Sequence, residues 1–233
     1  MATNQAMDTR RGKTGDAPAG DTLNRQVAYR RMQQLLLSGA IEPGQNLSQR
    51  DLVALLGISL GALRELLPRF EAEGLLAILP QRGIQITTVD LRMIRESYQI
   101  RIAYEREAAI HAVAHVSDDA LNHQRKLHTD LFERAGVSIT GTLLDEAQKV
   151  DSDFHDFLIG ATGNESLMQA YSINAIRVRM IQIDRIRLNP VVLAPALADH
   201  IEIIDAILAR DRTAAIAAIE NHITNARNRA VSF

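Results

Sequence analysis

From Asp90 to its last residue the chain shows no strand signal, only apolar residues at helical spacing interrupted by capping and breaking residues. The interruptions are Ser117, Gly136 and Gly141, Gly163-Asn164, Asn189-Pro190 and Asp211. They predict helices over 91–116, 118–135, 143–161, 165–188, 193–209 and 212–231. Helices of this length joined by short turns close into an antiparallel bundle. Composition agrees: 46% of residues are hydrophobic but only 4% aromatic, with no Trp, so the core rests on Leu, Ile, Val and Ala. The absence of Cys excludes disulfides and thiolate metal sites and fits a cytoplasmic protein. No apolar run has membrane-spanning length and the first twenty residues lack an apolar signal core, so no membrane partner is expected.

The front of the chain is patterned differently. Residues 1–21, rich in Gly, Ala, Asp, Thr and Arg, read as a disordered tail, with Arg10, Arg11 and Lys13 solvated or touching DNA phosphates. From Asn24 a helix places Ala28, Met32, Leu35 and Leu36 on one face and ends at Ser38-Gly39. Ser48 caps a short helix that Gly57 stops. Ser59 caps another that ends at Gly74. Residues 75–79 and 84–88 flank Pro80-Gln81-Arg82-Gly83 as a two-strand hairpin. The chain therefore divides into a tail (1–21), a winged helix-turn-helix (22–89) and an all-helical part (90–233). The fold is mainly α. Residues 1–89 carry 10 Lys+Arg against 8 Asp+Glu, and the remainder 16 against 20, a mildly basic front and an acidic back.

Two short helices at a tight turn, then a hairpin, can read duplex DNA. Ser59 and the helix end it caps can hold a phosphate. Arg64 is placed to read guanine O6 and N7 as a pair, Arg50 to meet a phosphate, and Arg82-Gly83 to bring the hairpin tip to the minor groove. Taken singly, the arginines also read as surface residues and Gly83 as a turn glycine.

This stretch resembles the GntR family of regulators. The marks are Gly39 to Gly44 with Leu47-Ser48-Gln49-Arg50-Asp51-Leu52, then Leu56-Gly57-Ile58-Ser59, Leu63-Arg64-Glu65-Leu66-Leu67, Phe70 to Leu75 and Arg82-Gly83. The resemblance implies a homodimer on double-stranded operator DNA with two half-sites, and contacts at Arg50, Ser59, Arg64 and Gly83. Leu60-Gly61-Ala62 replace the family's basic and small-Pro-Val residues, removing one contact. Pro68 falls inside the third helix, where a missing amide predicts a kink or a shortened recognition helix.

All seven histidines lie in the helical part. Asp151 and His155, four apart, leave one helix face together. His200 and His222 lie on later helices that a bundle can bring alongside. Three imidazoles and a carboxylate suit Zn²⁺, with Ni²⁺ or Mn²⁺ less specifically. Spacing alone is weak evidence, because His111 and His115 share it. These two, with His123 and His128, are assigned as surface or hydrogen-bonded residues.

The helical part resembles the FCD effector domain of the FadR branch, of the shorter, VanR-like, six-helix type. The marks are Tyr98-x-x-Arg101-x-x-x-Glu105, Asp151-x-x-Phe154-His155-x-x-Leu158, Gly163-Asn164-x-x-Leu167, and His200 through Ala215 to His222-Ile223. The resemblance implies that Asp151, His155, His200 and His222 hold a divalent metal. It also places Arg101 as the residue that grips a small carboxylate effector; the plainer alternative is a salt bridge to Glu105. Arg177, Arg179, Arg185 and Arg187 form a basic helix, mostly solvated or at a domain interface, with room for one in the cavity. The expected function is a ligand-responsive regulator, a repressor of a catabolic operon rather than an enzyme. A metal-dependent hydrolase, a purely structural metal and a metal-sensing regulator are the alternatives.

Overall fold

The computed structural model describes residues 19–185 and 189–232. The expected tail falls outside them up to residue 18. The first helix, α1 (Ala19–Ser38), already includes Ala19–Asp21 and so starts ahead of the expected Asn24. It stops at Gly39, whose positive φ of 73° suits glycine.

Next come β1 (Asn46–Leu47), α2 (Gln49–Leu56), α3 (Leu60–Ala72), β2 (Leu76–Leu79) and β3 (Gly83–Ile86). Ser48 and Asp51 form a capping box at the start of α2: the Asp51 amide donates to Ser48 Oγ (3.1 Å) and the Ser48 amide to Asp51 Oδ2 (2.8 Å). Ser59 Oγ accepts the Ala62 amide at the start of α3. The expected two-strand hairpin is a three-stranded antiparallel sheet in the order β1-β3-β2. β1 escaped the pattern because two residues are too short to show alternation.

Pro68 does not shorten α3, which runs unbroken to Ala72. The proline is exposed, so water can satisfy the Arg64 carbonyl that lost its amide partner. On the opposite face Leu63, Leu66, Leu67 and Phe70 are buried with Met32 and Leu36 of α1, Leu52 of α2, and Ile84 and Ile86 of β3. Tyr29 stacks on Phe70 with ring centroids 5.6 Å apart and donates its hydroxyl to Glu73 at 2.7 Å.

Six helices follow: α4 (Leu91–His115), α5 (Asp118–Val137), α6 (Gly141–Ala161), α7 (Glu165–Arg185), α8 (Pro190–Leu208) and α9 (Arg212–Val231). Three boundaries move by two residues or more from expectation, and the expected end of α7 at residue 188 lies outside the described residues. α5 passes through Gly136 to Val137. α6 starts at Gly141 because Thr140 Oγ1 accepts the Leu143 amide. α8 starts at Pro190 because Asn189 Oδ1 accepts the Val191 and Val192 amides, and proline is tolerated in a first turn. α4 is the axis of the bundle, packed against α9, α6 and α7, while α5 packs on α8. Buried alanines on α4 (Ala108, Ala109, Ala112) and α9 (Ala215, Ala218) let these helices lie close. One apolar core continues from the winged helix into the bundle. Among the described residues no helix is long and apolar enough to cross a membrane.

Candidate metal and effector site

Five helices send polar side chains to one buried spot. α6 supplies Asp151 and His155, one turn apart; α8 supplies His200, and α9 supplies His222. Each offers a ligand atom, and these atoms all lie within 4.8 Å of one another. The three histidines are buried and Asp151 is partly so. His200 Nε2 is 3.2 Å from His222 Nε2 and 3.6 Å from Asp151 Oδ1. Ligands about 2.0–2.1 Å from one tetrahedral ion are separated by about 3.3 Å.

The outer partners of the rings fix where their protons sit. His128 Nδ1 is 2.7 Å from the Gln124 carbonyl, which can only accept, so His128 carries its proton there. Its Nε2 is then an acceptor, 3.1 Å from His200 Nδ1. His200 therefore keeps its proton on Nδ1 and a lone pair on Nε2. His222 Nδ1 faces Asp199 Oδ2 at 3.5 Å, and His155 Nδ1 faces Glu105 Oε2 at 2.7 Å. Neither pair reaches full hydrogen-bond geometry, but each carboxylate draws the ring proton towards itself. Each Nε2 is thus left without a ring proton, that of His155 accepting from Arg101. The Nε2 atoms of His200 and His222 face each other with no proton between them, an arrangement that a cation relieves. The donor set fits a divalent metal, and the outer partners are of the kind that orient metal-binding imidazoles.

Electrostatics support the same reading. Burial, with the neighbouring rings, pushes His200 well below its usual value, and burial holds His222 at about 4 against the pull of Asp199. Both are neutral, as ligands must be, at neutral pH. Burial opposes the Glu105 charge, but the Arg101 guanidinium and His155 outweigh it and hold the carboxyl at about 2. Arg101 Nε donates to Glu105 Oε1 at 2.6 Å, and its Nη2 to His155 Nε2 at 2.5 Å. The Glu105 salt bridge expected as the plainer role of Arg101 is therefore present. The pair is buried, with 5% and 0% of the two side chains exposed, and Arg101 stands beside the candidate ligands.

A cavity of about 540 Å³ opens beside this cluster, bordered by Arg101, Asp151 and His155 and walled by α7 through Tyr171, Asn174 and Val178. Its volume is that of a small-ligand pocket. Gln33 and Leu37 of α1 also line it, so the cavity lies between the bundle and the winged helix.

The remaining expected site residues lie elsewhere. Arg50 is exposed near the start of α2, Arg64 is exposed on α3, and Arg82 is exposed at the hairpin turn. Ser59 is committed as the α3 cap. Gly83, expected to let the hairpin approach DNA, meets a demand inside the protein. Its φ is +92°, and a Cβ there would stand 2.9 Å from the Leu47 carbonyl of β1. The rings of His111 and His115 lie 4.3 Å apart, tilted at 39°, and His123 is exposed.

Three residues that support the site were not placed there by the sequence: His128 was assigned as surface or hydrogen-bonded, and Glu105 only as a salt-bridge partner of Arg101. His128 repeats the inward spacing of Leu121 and Leu131, and Glu105 lies on the buried stripe of Tyr98, Arg101, Ala108 and Ala112. A polar residue on an apolar stripe was the available signal. Asp199 carried none.

A winged helix carrying a helical bundle of this kind is the architecture of a DNA-binding transcription regulator. Residues 24–86 match the model of bacterial regulatory proteins of the gntR family, and residues 96–225 match that of the FCD domain. The chain belongs to the GntR family and carries an FCD effector domain, and it is a regulator rather than an enzyme. It is 24% identical over 204 residues to the HTH-type transcriptional repressor RspR of Escherichia coli (strain K12), covering 86% of each chain. It is 25% identical over 139 residues to the HTH-type transcriptional regulator YdhC of Bacillus subtilis (strain 168), covering 60% of this chain and 61% of that one. The solved structure of E. coli McbR/YncC superposes with a TM-score of 0.70 at 20% identity, covering 90% of this chain and 97% of that one.

Proposed function

We propose that this protein is a cytoplasmic, homodimeric repressor of a catabolic operon, relieved by a small carboxylate bound at a divalent-metal site. Residues 22–89 read the operator and 90–233 sense the effector. Asp151, His155, His200 and His222 hold the ion, Zn²⁺ by preference, with Ni²⁺ or Mn²⁺ compatible with the donors. The observation that carries this is the convergence of three imidazoles and one carboxylate, whose ligand atoms lie within 4.8 Å of one another, at the edge of the cavity.

A divalent ion bound there supplies a Lewis-acid position for one carboxylate oxygen. Arg101, charged and bordering the cavity, grips the other oxygen, while Glu105 fixes the direction of its guanidinium. The cavity favours an organic effector over a metal-sensing role, since an ion alone would not need that volume. On the DNA side, Arg64 reads bases, Arg50 and the Ser59-capped helix end hold phosphates, and Arg82 with Gly83 forms the tip of the wing. The name of RspR supports repression.

The test is a thermal-shift screen of small carboxylates on zinc-loaded protein, then gel shifts on duplexes from the gene's own surroundings. At least one carboxylate should raise the melting temperature and weaken operator binding. Arg50→Ala should lower the salt dependence of binding by about one phosphate contact. Salt-insensitive binding with no preference among duplexes would refute the reading.

A further inference from the structure

The helix that walls the cavity also grips the winged helix, through contacts the effector site does not need. On α7, Arg177 donates from Nε (3.1 Å) and Nη2 (2.6 Å) to the carbonyl of Glu73, the C-cap residue of the DNA-reading helix α3. The next residue is Gly74, with φ +70°, and a Cβ there would collide with the Arg177 guanidinium. Arg179 donates from Nε to the Leu37 carbonyl in the last turn of α1, at 3.0 Å. Both acceptors lie at helix C-termini, where carbonyls lack intrahelical partners and the helix dipole is negative. Two arginines of one helix thus complete the ends of two others. Glu73 is held from the far side as well, since its carboxylate accepts the Tyr29 hydroxyl of α1.

The coupling is short. Tyr171 and Asn174 face the cavity within two turns of Arg177, about 9 Å or less along the axis. Arg179 borders the cavity itself while bound to α1. A carboxylate is a stronger acceptor for a guanidinium than a neutral carbonyl is.

We infer that Arg177 and Arg179 are positioning residues that lock the winged helix to the bundle, and that an anion in the cavity releases the lock by drawing Arg179 from Leu37. The inference rests on the proposed reading of the cavity as an effector site and names the route by which that site is heard. Arg177 is the fixed bolt, Arg179 the contact an anion competes for, and α7 the element that connects them.

The chain has no Cys, so Ala54→Cys on α2 and Glu133→Cys on α5, both exposed, can carry a donor and an acceptor dye. Labelled chains are mixed into excess unlabelled chain, so that each oligomer reports one intramolecular distance. The parent should show one narrow distance. Arg177→Met should broaden it, raising the undocked fraction about tenfold for the loss of a charged bidentate contact, and Arg177→Lys should fall between. With no carboxylate present, Arg177→Met should also weaken operator binding about tenfold while zinc affinity stays unchanged. An unchanged distance distribution, or unchanged operator binding, in Arg177→Met overturns the inference. Failure of the effector reading is seen separately, as no response of the parent protein to any carboxylate.

Discussion

Replacing His128 by phenylalanine removes an imidazole that no bound ion would touch, and it should cost metal affinity all the same. The ring shape is kept, so the edge contact with Phe154 at a 5.0 Å centroid distance has a substitute. What is lost is the acceptor for His200 Nδ1. His200 then has two options. It can keep its Nδ1 proton buried without a partner, at a cost of about 1–3 kcal/mol. Or it can move the proton to Nε2, which faces His222 Nε2 at 3.2 Å and is the atom an ion needs. Either way zinc binding should weaken by about 10- to 100-fold, as found for outer partners of metal ligands, which is about 1.4–2.8 kcal/mol. Competition against a chromophoric chelator at neutral pH measures this directly. His128→Gln, whose side-chain carbonyl can accept from His200, should recover most of the loss. A phenylalanine variant that folds normally and binds zinc within about twofold of the parent would refute the proton-relay argument.

Other outcomes follow from the same geometry. Glu105→Gln leaves the Arg101 charge buried without its counter-ion and should destabilise the zinc-free protein by about 3–5 kcal/mol in denaturant unfolding. Gly83→Ala forces a Cβ towards the Leu47 carbonyl at a positive φ and should cost about 1–3 kcal/mol, with operator binding falling because the wing sheet is disturbed. Burial and the Glu73 hydrogen bond raise Tyr29 from 10.0 to about 12. A raised folded-state value means that this contribution is complete below pH 10 and is lost as pH rises through 12. The stability of the parent should therefore fall more steeply between pH 10 and 12 than that of Tyr29→Phe, by up to about 2 kcal/mol.

Much of the fold was legible because it is written locally. Ser48, Ser59, Ser117 and Asp211 each cap the helix that their chemistry predicts, and Gly57 ends α2 with a φ of 69°. The misplaced starts of α6 and α8 share a cause. Thr140 and Asn189 were available as caps, but the apolar pattern begins only later, at Leu143 and Leu193. β1 is too short for a period, and Pro68 lies in an unbroken α3 on the side that meets water, which is a tertiary fact.

The sequence by itself determined the kinds of element, their order, and the stock of donors from which an ion site can be drawn, because caps, breakers and a 3.6-residue repeat act over a few neighbouring residues. Tertiary structure decided which donors meet. It sorted the histidines into an inner set (His155, His200 and His222), an outer one (His128) and a pair in contact with each other elsewhere (His111 and His115). It buried the Arg101–Glu105 pair, and set Arg177 on the end of α3. Those outcomes depend on how helices cross and how closely small residues let them approach, and on contacts between residues as far apart as Glu73 and Arg177, which no local pattern encodes.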